Sequence, residues 1–156
     1  MNDRTINVAR GALVLSTDRS RVDLERVLDM LHGSHWGAST TRPMLERAIE
    51  NSICVGVYDQ NNLQLAFARA VSDLATYAYL TDVIVAEDSR GRGIGDWMVE
   101  ELVAHPDLQG LRRFALFTRN ARRLYEKHGF STDAPTRSVY MELEAGRGDA
   151  ARPVLL

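Results

Sequence analysis

Three glycines and two arginines lie within seven residues of this chain, in the stretch SRGRGIG at positions 89–95. Closely spaced glycines let the backbone take positive φ and approach a ligand with no Cβ in the way. The stretch follows an apolar, strand-like run, YLTDVIV, and precedes apolar residues at helical spacing, Ile94, Met98 and Leu102. A glycine-rich turn between a strand and a helix presents backbone N–H groups and the positive end of the helix dipole, which together bind phosphate. The spacing therefore predicts a phosphorylated ligand.

Two widespread kinds of phosphate loop do not match this stretch. A P-loop ends in Gly-Lys followed by Ser or Thr, whereas Gly95 is followed here by Asp96 and Trp97. The dinucleotide-binding fingerprint has the spacing G-x-G-x-x-G near the start of a parallel βαβ unit. Here the glycines alternate as G-x-G-x-G, late in a strand series that is mostly antiparallel by pattern. The sequence excludes the first loop and disfavours the second.

The elements that must position this loop show alternating helix and strand signals. A first strand is predicted over GALVLSTD, followed by a helix that begins with the capping signals Ser20 and Asp23 and ends near residue 32. A second helix is predicted from Thr41, with Pro43 in its first turn, to about Asn51. Three strands in antiparallel series come next: ICVGVYD, LQLAFARAVSD and YAYLTDVIVA.

Beyond the loop, the helical spacing continues up to Pro106. RRFALFT is predicted as a strand, NARRLYEKH as a helix closed by Gly129, and SVYMEL as a last strand. The tail, EAGRGDAARPVLL, shows no periodicity and is predicted to be loose.

Length and composition restrict the class of protein. The chain has 156 residues, of which 45% are hydrophobic, and this suits one domain with a sizeable core. Its formal net charge of -2 argues against a nucleic-acid partner. We find no run of about 18 apolar residues and no apolar signal segment, so we expect no membrane partner and a cytoplasmic location. Cys54 lies in an apolar run typical of a buried, inert thiol, and the four histidines show no metal-ligand spacing.

Two stretches together resemble the signatures of the GCN5-related N-acetyltransferase (GNAT) family. Residues 90–95, RGRGIG, match the pattern Arg/Gln-x-x-Gly-x-Gly/Ala of the family's pyrophosphate loop. Residues 118–130, TRNARRLYEKHGF, resemble its second signature, in which an Asn opens a helix and a Tyr precedes a Gly-Phe ending. Two signatures in order, about 25 residues apart, are more specific than either alone. The order of the predicted elements is also similar to the family's over about residues 5–143.

The resemblance implies a fold class, namely a mixed α/β, single GNAT-like domain with a central, mostly antiparallel sheet and helices on both faces. It also implies a V-shaped split between the strands that end near Val85 and Thr118. The single domain is expected over residues 1–156, with its core at about 5–143 and a flexible tail at 144–156.

Acetyl-CoA is the co-substrate that the resemblance implies, with no metal. In relatives the loop's N–H groups hold the pyrophosphate, arginines add charge-assisted contacts, and the preceding strand pairs with the pantetheine arm. Asn120 matches a cofactor-contacting position, and Arg123 follows it closely enough to reach a CoA phosphate, although such charges are usually solvated. The cofactor-binding residues are expected to be Val83, Ile84, Val85, Arg90, Gly91, Arg92, Gly93, Ile94, Gly95, Asn120 and Arg123.

The implied reaction is attack of an amine on a thioester, which needs an acceptor for the ammonium proton and a donor for the leaving thiolate. Tyr125 matches the family tyrosine near the thioester sulfur and is the predicted acid; the alternative is that it only packs against the pantetheine. Asp82, a carboxylate in an apolar strand, is the candidate base. An Asp82 bonded to a neighbouring turn or to Arg69 is equally favoured. The weaker candidates for the base are Asp73, Tyr77, Tyr79 and a water chain.

The acceptor amine is expected to meet the connection between the first two helices, HGSHWGASTTR. His35 and Trp36 lie there and are candidates for substrate binding together with Tyr79, although Trp36 can equally be a staple between the loop and the core. The sequence leaves open a small-molecule amine and a peptide or protein amine. It also leaves open a homodimer, and a non-catalytic CoA-binding module on the same fold.

Overall fold

The computed structural model describes residues 4–132 and Met141. Within these residues, six strands form one sheet in the order β1-β2-β3-β4-β5-β6. The strands are β1 Asn7–Arg10, β2 Leu13–Ser16, β3 Ile53–Tyr58, β4 Gln64–Ser72, β5 Tyr77–Val85 and β6 Arg113–Leu116. The helices are α1 Leu24–His32, α2 Arg42–Glu50, α3 Ile94–Val103 and α4 Arg122–Glu126. Neighbouring strands from β1 to β5 are antiparallel, whereas β6 runs parallel to β5. The sheet is mixed and mostly antiparallel, as predicted.

Helices cover both faces of the sheet. On one face, α1 and α2 form a core with apolar residues of β3, β4 and β5; its members include Val27, Leu31, Leu45, Phe67 and Ile84. On the other face, α3 packs on a row of alanines, so that its backbone lies close to the strands; this core contains Ala66, Ala68, Ala70, Trp97, Met98 and Leu102. Because burying a Leu, Met or Phe side chain contributes about 1.5–3 kcal/mol, both faces stabilise the sheet.

The starts of α1 and α2 confirm the helix signals in the sequence. Asp23 caps α1, and its carboxylate accepts a hydrogen bond from the N–H of Arg26 at 3.1 Å. Thr41 precedes α2 without a side-chain hydrogen bond, and the fixed φ of Pro43 suits the first turn. Asn51 follows the last residue of α2. The predicted boundaries of both helices agree with the observed ones to within a few residues.

The amino-terminal strand region differs from the prediction. One strand was expected over GALVLSTD, whereas the structure has two antiparallel strands, β1 and β2, joined at a turn where Gly11 has a φ of +58°. The sequence NVAR of β1 was missed because this edge strand is mostly exposed, so its side chains show no apolar alternation. The predicted last strand, SVYMEL, lies outside the described residues except for Met141, and so does the predicted tail at 144–156.

Strands β5 and β6 separate after four residue pairs. Their parallel pairing runs from Tyr77 opposite Arg113 to Leu80 opposite Leu116. β5 continues to Val85 paired, among the described strands, with β4 alone, whereas β6 ends at Leu116. The predicted V-shaped split is therefore present, and it opens along the second half of β5.

Candidate active site

The glycine loop leaves a set of backbone donors free at the start of α3. Gly91 and Gly93 have φ values of +75° and +76°, and a Cβ at either would meet nothing within 4 Å. Gly93 is the N-cap of α3, and the first helical bond runs from Trp97 N–H to the Gly93 carbonyl. The N–H groups of residues 94–96 have no acceptor among the described residues, as is normal for a first helical turn. This turn can therefore receive an anion from the open side of the loop.

The two arginines of the loop are exposed and differ in their contacts. The Nε of Arg90 donates a hydrogen bond of 3.1 Å to the carbonyl oxygen of Val85, which ties the loop to the end of β5. Arg92, between the two glycines of positive φ, projects from the loop. Both charges lie beside the free N–H groups and increase the attraction for an anion.

Three elements meet at Gly95, in the first turn of α3. A Cβ placed on Gly95 would lie 3.7 Å from the side chain of Leu124 on α4 and 3.8 Å from that of Val85 on β5. A second link joins α3 to the segment after α4, since the Nε2 of His128 lies 2.9 Å from the Oδ1 of Asp96. The loop, the end of β5 and the helix that carries Tyr125 are therefore neighbours, as the two sequence signatures require.

The second half of β5 offers unpaired backbone groups to the split. The N–H of Ala86 bonds the carbonyl of Leu65 at the end of β4, and backbone groups alternate in direction along a strand. The N–H and C=O of Ile84 thus point towards β4, and those of Val83 and Val85 point into the split. Of the three predicted strand residues, Val83 is in position to pair with an extended ligand through both backbone groups, and Val85 through its N–H, because the carbonyl of Val85 accepts the bond from Arg90. Ile84 differs from the prediction, because its backbone faces β4 and its side chain belongs to the core under α1 and α2.

A β-bulge at Asp82 precedes these residues. Phe67 pairs with Ile84 and Arg69 with Thr81, so two residues of β5, Asp82 and Val83, lie opposite the single residue between Phe67 and Arg69. Asp82 has a φ of +54°, in the left-handed region. The extra residue shifts the alternation, because Leu80 and Val83 both pack in the core beside α3.

The side chain of Asp82 is engaged by its neighbours. Its Oδ2 accepts a hydrogen bond of 2.5 Å from the Nε of Arg69, and its Oδ1 accepts one of 3.2 Å from the hydroxyl of Thr81. The ion pair is shielded, with side-chain exposures of 18% for Arg69 and 15% for Asp82. The bond to Arg69, which the sequence left open as an alternative to a catalytic base, is thus present.

Tyr125 is buried on α4, with 9% of its surface exposed. Burial raises the pKa of its phenol above the ordinary value of 10.0, so the hydroxyl keeps its proton at neutral pH. The ring packs edge-on against Phe130, with the centroids 6.0 Å apart. The hydroxyl therefore carries the proton that a general acid needs, next to Leu124 at the meeting point, and its role as the acid stays a prediction.

The other predicted cofactor contacts lie at the surface of the same end of the sheet. Asn120 is exposed in the turn before α4, where the hydroxyl of Thr118 accepts a hydrogen bond of 3.0 Å from the N–H of Ala121. Arg123 is exposed on α4. The predicted roles of Asn120 and Arg123 stay predictions.

The predicted acceptor-binding residues are His35, Trp36 and Tyr79. His35 and Trp36 are exposed in the connection between α1 and α2, and Trp36 keeps 47% of its surface in solvent. This connection is ordered by local hydrogen bonds, among them one of 2.9 Å from the N–H of Gly37 to the hydroxyl of Ser34. Trp36 is half-exposed in this loop, and both its role in acceptor binding and the alternative of a staple stay predictions.

Tyr79 belongs to an aromatic pair that the sequence did not predict. Its ring meets that of Phe117 edge-on, with the centroids 5.9 Å apart, at the point where β6 leaves β5. Phe117 follows β6 directly and has 60% of its surface exposed. The available signal in the sequence was an aromatic residue, Phe117, at the end of the apolar run RRFALFT.

The weaker candidates for the base have other roles or positions. The carboxylate of Asp73 accepts hydrogen bonds from the Thr76 hydroxyl and from the N–H groups of Ala75, Thr76 and Tyr77. These bonds, with those from Thr76 the strongest, lower the pKa of Asp73 far below its ordinary value. Asp73 therefore stabilises the turn between β4 and β5 and is a poor proton acceptor at neutral pH. Tyr77 is exposed at the start of β5.

Residues 4–132 and Met141 are the described part of the chain. In that part of the chain, no three His, Cys, Asp or Glu side chains are grouped in a way that could hold a metal ion. None of the helices described there is long and apolar enough to cross a membrane.

Residues 50–132 match the family model described as the acetyltransferase (GNAT) domain. The chain belongs to the GNAT family. The matched segment runs from the end of α2 to the residues after α4, so it contains the loop, both strands of the split and Tyr125.

Similarity to known proteins supports membership in the GNAT family. A crystal structure from Xanthomonas campestris pv. campestris, provisionally named an acetyltransferase of the GNAT family, is 38% identical, with a TM-score of 0.74 over 84% of this chain and 96% of that one. A Gibberella zeae protein, provisionally named an acetyltransferase, is 27% identical over 78% of this chain and 80% of its own length. N-acetylglutamate synthase from Neisseria gonorrhoeae, solved with coenzyme A and N-acetyl-glutamate, is 11% identical, with a TM-score of 0.63 over 78% of this chain and 28% of that one, and shares the fold.

The predicted fold class is therefore confirmed: this GNAT protein has a single GNAT-fold domain with a six-stranded mixed sheet. Membership in the family supports acyl-CoA-dependent acyltransferase activity in general.

Proposed function

We propose that this GNAT protein transfers an acetyl group, or another small acyl group, from acyl-CoA to a primary amine by direct attack within a ternary complex. The observation that carries the proposal is the meeting of three elements at Gly95: the loop with free N–H groups, the unpaired edge of β5 and the helix that bears Tyr125. Each element fits one part of acyl-CoA, and their order along the split matches the order of those parts.

The pyrophosphate of acyl-CoA binds the first turn of α3 in this proposal. The free N–H groups of residues 94–96 donate to its oxygens, and the positive end of the helix dipole favours its charge. Arg90 and Arg92 add exposed cations beside it. The open space at Gly91 and Gly93 lets the phosphates approach the backbone closely.

The pantetheine arm lies in the split as an extra strand. Its amides bond the N–H and C=O of Val83 and the N–H of Val85, which point away from β4. This arrangement directs the thioester along β5 towards the bulge at Asp82, with α4 on the other side of the split.

The chemical step forms a C–N bond and breaks the C–S bond of the thioester. The lone pair of the neutral amine attacks the carbonyl carbon, and backbone N–H groups at the edge of β5 stabilise the oxyanion. When the tetrahedral intermediate collapses, the thiolate leaves and takes a proton from the hydroxyl of Tyr125, and the phenolate then regains a proton from solvent before the next turnover. The amine's proton passes to solvent through water in our proposal, because the carboxylate of Asp82 already accepts hydrogen bonds from Arg69 and Thr81.

The proposal is tested in two steps. Titration calorimetry with acetyl-CoA comes first, and we expect binding at a single site. A thiol-release assay against a panel of small-molecule, peptide and protein amines follows, and release of CoA that depends on one amine class is the expected result. Absence of acetyl-CoA binding would contradict the proposal entirely. Binding without turnover on any amine of the panel would favour a non-catalytic CoA-binding module. The acceptor is expected to meet Trp36, His35 or Tyr79, so Trp36→Ala should raise the KM of the amine found and leave acetyl-CoA binding unchanged.

A further inference from the structure

We propose that the ion pair of Arg69 and Asp82 holds the bulge of β5 in shape, so that both are positioning residues for acyl-CoA and Asp82 is not the base. This inference rests on the proposed function, since it assigns a role at the same site. The inference rests on the position of Asp82, which has a positive φ, forms a shielded ion pair and lies where β5 and β6 separate.

The backbone of Asp82 needs support from its surroundings. Residues other than glycine seldom take positive φ, and such conformations persist when neighbouring groups hold them in place. Three described residues other than glycine have positive φ: Asn62, Leu74 and Asp82. Asn62 and Leu74 lie in the turns beside β4, where positive φ is common, whereas Asp82 lies inside a strand.

The support comes from a chain of polar contacts across the sheet. The guanidinium of Arg69 donates to Asp82 through Nε and to the hydroxyl of Ser52 through Nη1, the latter at 3.2 Å. The Ser52 hydroxyl in turn donates to the carbonyl of Ala48 in α2, at 2.6 Å. Arg69 is thus fixed at both ends of its guanidinium, and it fixes the carboxylate of Asp82 relative to β3, β4 and α2.

The bulge has a direct consequence for the split. A bulge bends its strand and increases the local twist. The last pair between β5 and β6 is Leu80 with Leu116, two residues before Asp82. The extra residue also reverses the alternation, so that the backbone groups of Val83 and Val85 point into the split. Loss of the bulge would direct those groups towards β4 and present the groups of Asp82 and Ile84 to the split instead, which shifts the pairing positions for the pantetheine by one residue relative to the loop.

Asp82→Gly and Asp82→Ala form the decisive pair of variants. Both remove the carboxylate, but glycine adopts positive φ freely and alanine does not. We expect Asp82→Ala to weaken acetyl-CoA binding in calorimetry by about tenfold, the size expected when a strained backbone loses its support. Asp82→Gly should stay within about threefold of the parent protein, because the bulge no longer needs the ion pair.

A rescue experiment separates a positioning role from general stability. Arg69→Met should weaken acetyl-CoA binding like Asp82→Ala, and adding Asp82→Gly to Arg69→Met should restore most of the affinity. Leu74→Gly is the matched control, since it relieves a φ of +61° in a turn away from the split and should leave acetyl-CoA binding unchanged. Thermal unfolding of every variant shows which of them are folded at the temperature of the titration.

Several outcomes would overturn the inference. The inference fails if Asp82→Gly and Asp82→Ala weaken acetyl-CoA binding equally. It also fails if Arg69→Met binds acetyl-CoA like the parent, or if the double variant does not regain affinity. An Asp82→Gly protein with unchanged acetyl-CoA binding but a kcat reduced about a hundredfold on the identified amine would assign Asp82 as the base instead. A parent protein that binds no acetyl-CoA would overturn the proposed function and this inference together, whereas a binding parent without the variant pattern overturns this inference alone.

Discussion

The sheet buries a tyrosine in each of two regions, and the two regions differ in how their strands are paired. Tyr58 ends β3, a strand paired on both sides by β2 and β4. Tyr125 lies on α4, whose Leu124 lies with Val85 around Gly95, at the end of the half of β5 that is paired by β4 alone. Burial raises the pKa of both phenols, that of Tyr58 to about 12. Both tyrosines are therefore buried and protonated at neutral pH. Tyr58 lies in a closed region, where the strand is paired on both sides, and Tyr125 in an open region, where the strand is paired on one side.

The difference shows that burial alone does not make a tyrosine useful for proton transfer. In the closed region, the backbone groups of β3 are used by its neighbours, and the hydroxyl of Tyr58 has no hydrogen-bond partner among the described residues. In the open region, backbone groups of β5 and N–H groups of α3 are available, and Leu124, the neighbour of Tyr125 on α4, lies close to Gly95. Strand pairing decides which of the two tyrosines has room for a ligand.

The largest expected effect is the closing of the open region by Gly93→Val. A side chain there occupies the space through which the phosphates approach and is also strained at a φ of +76°. We expect acetyl-CoA binding to weaken at least about 100-fold, which corresponds to about 2.7 kcal/mol. Titration calorimetry measures the loss.

Gly110→Val is the matched control for this change. Gly110 has a φ of +74° and, like Gly93, open space around its Cβ position, but it lies in the turn before β6, at the end of that strand away from the split. The Gly110→Val substitution imposes similar backbone strain and should leave acetyl-CoA binding unchanged. If Gly93→Val binds as tightly as the parent protein, the loop does not hold the phosphates.

The next effect compares the two tyrosines directly. Tyr125→Phe removes the proposed proton donor and keeps the packed ring, so kcat should fall about 10- to 100-fold while acetyl-CoA binding changes less than twofold. The loss is partial because a thiolate can leave unprotonated. Tyr58→Phe should leave kcat unchanged. Steady-state kinetics on the amine found in the panel measures both, and equal losses in the two variants would show that the distinction between the regions is mistaken.

A smaller effect concerns the stability of the closed region. Because the buried hydroxyl of Tyr58 lacks a described partner, Tyr58→Phe should stabilise the folded state by about 1 kcal/mol at neutral pH. A raised pKa means that the folded state holds the proton more tightly than the unfolded chain does. The parent should therefore lose stability as the pH rises from 10.0 to about 12, and Tyr58→Phe should lose less. Urea unfolding at pH 7 and at several alkaline values tests this, and a destabilised variant at pH 7 would indicate an unobserved partner for the hydroxyl.

The smallest effect is expected for Arg92→Ala. Arg92 is exposed, so its attraction for a phosphate is weakened by water and salt. We expect acetyl-CoA binding to weaken by less than about fivefold at physiological salt, and the difference from the parent to shrink as salt is added. A loss as large as that of Gly93→Val would mean that side-chain charge, rather than the backbone, holds the phosphates.

Features that depend on short stretches of sequence were predictable. Asp23 and Pro43 indicate the starts of α1 and α2, because helix capping and the fixed φ of proline act over a few residues. The glycines before α3 predict a phosphate loop because turn chemistry is also local, and positive φ was found at Gly91 and Gly93. The strand β1 was not predictable, because an exposed edge strand has no apolar face to reveal it.

The sequence by itself determined the order of the central elements and the residues of the loop, because hydrophobic periodicity and turn chemistry are local properties of the chain. It indicated the family through the resemblance of residues 90–95 and 118–130 to two signatures. Only the tertiary structure decided that β5 carries a bulge at Asp82, that Arg69 from β4 holds that residue, and that Val83 and Val85 face the split. In the sequence, YLTDVIV is an uninterrupted strand pattern. The extra residue exists only relative to the partner strand, and the open edge exists only because β6 separates from β5, so both depend on contacts between residues far apart in the chain.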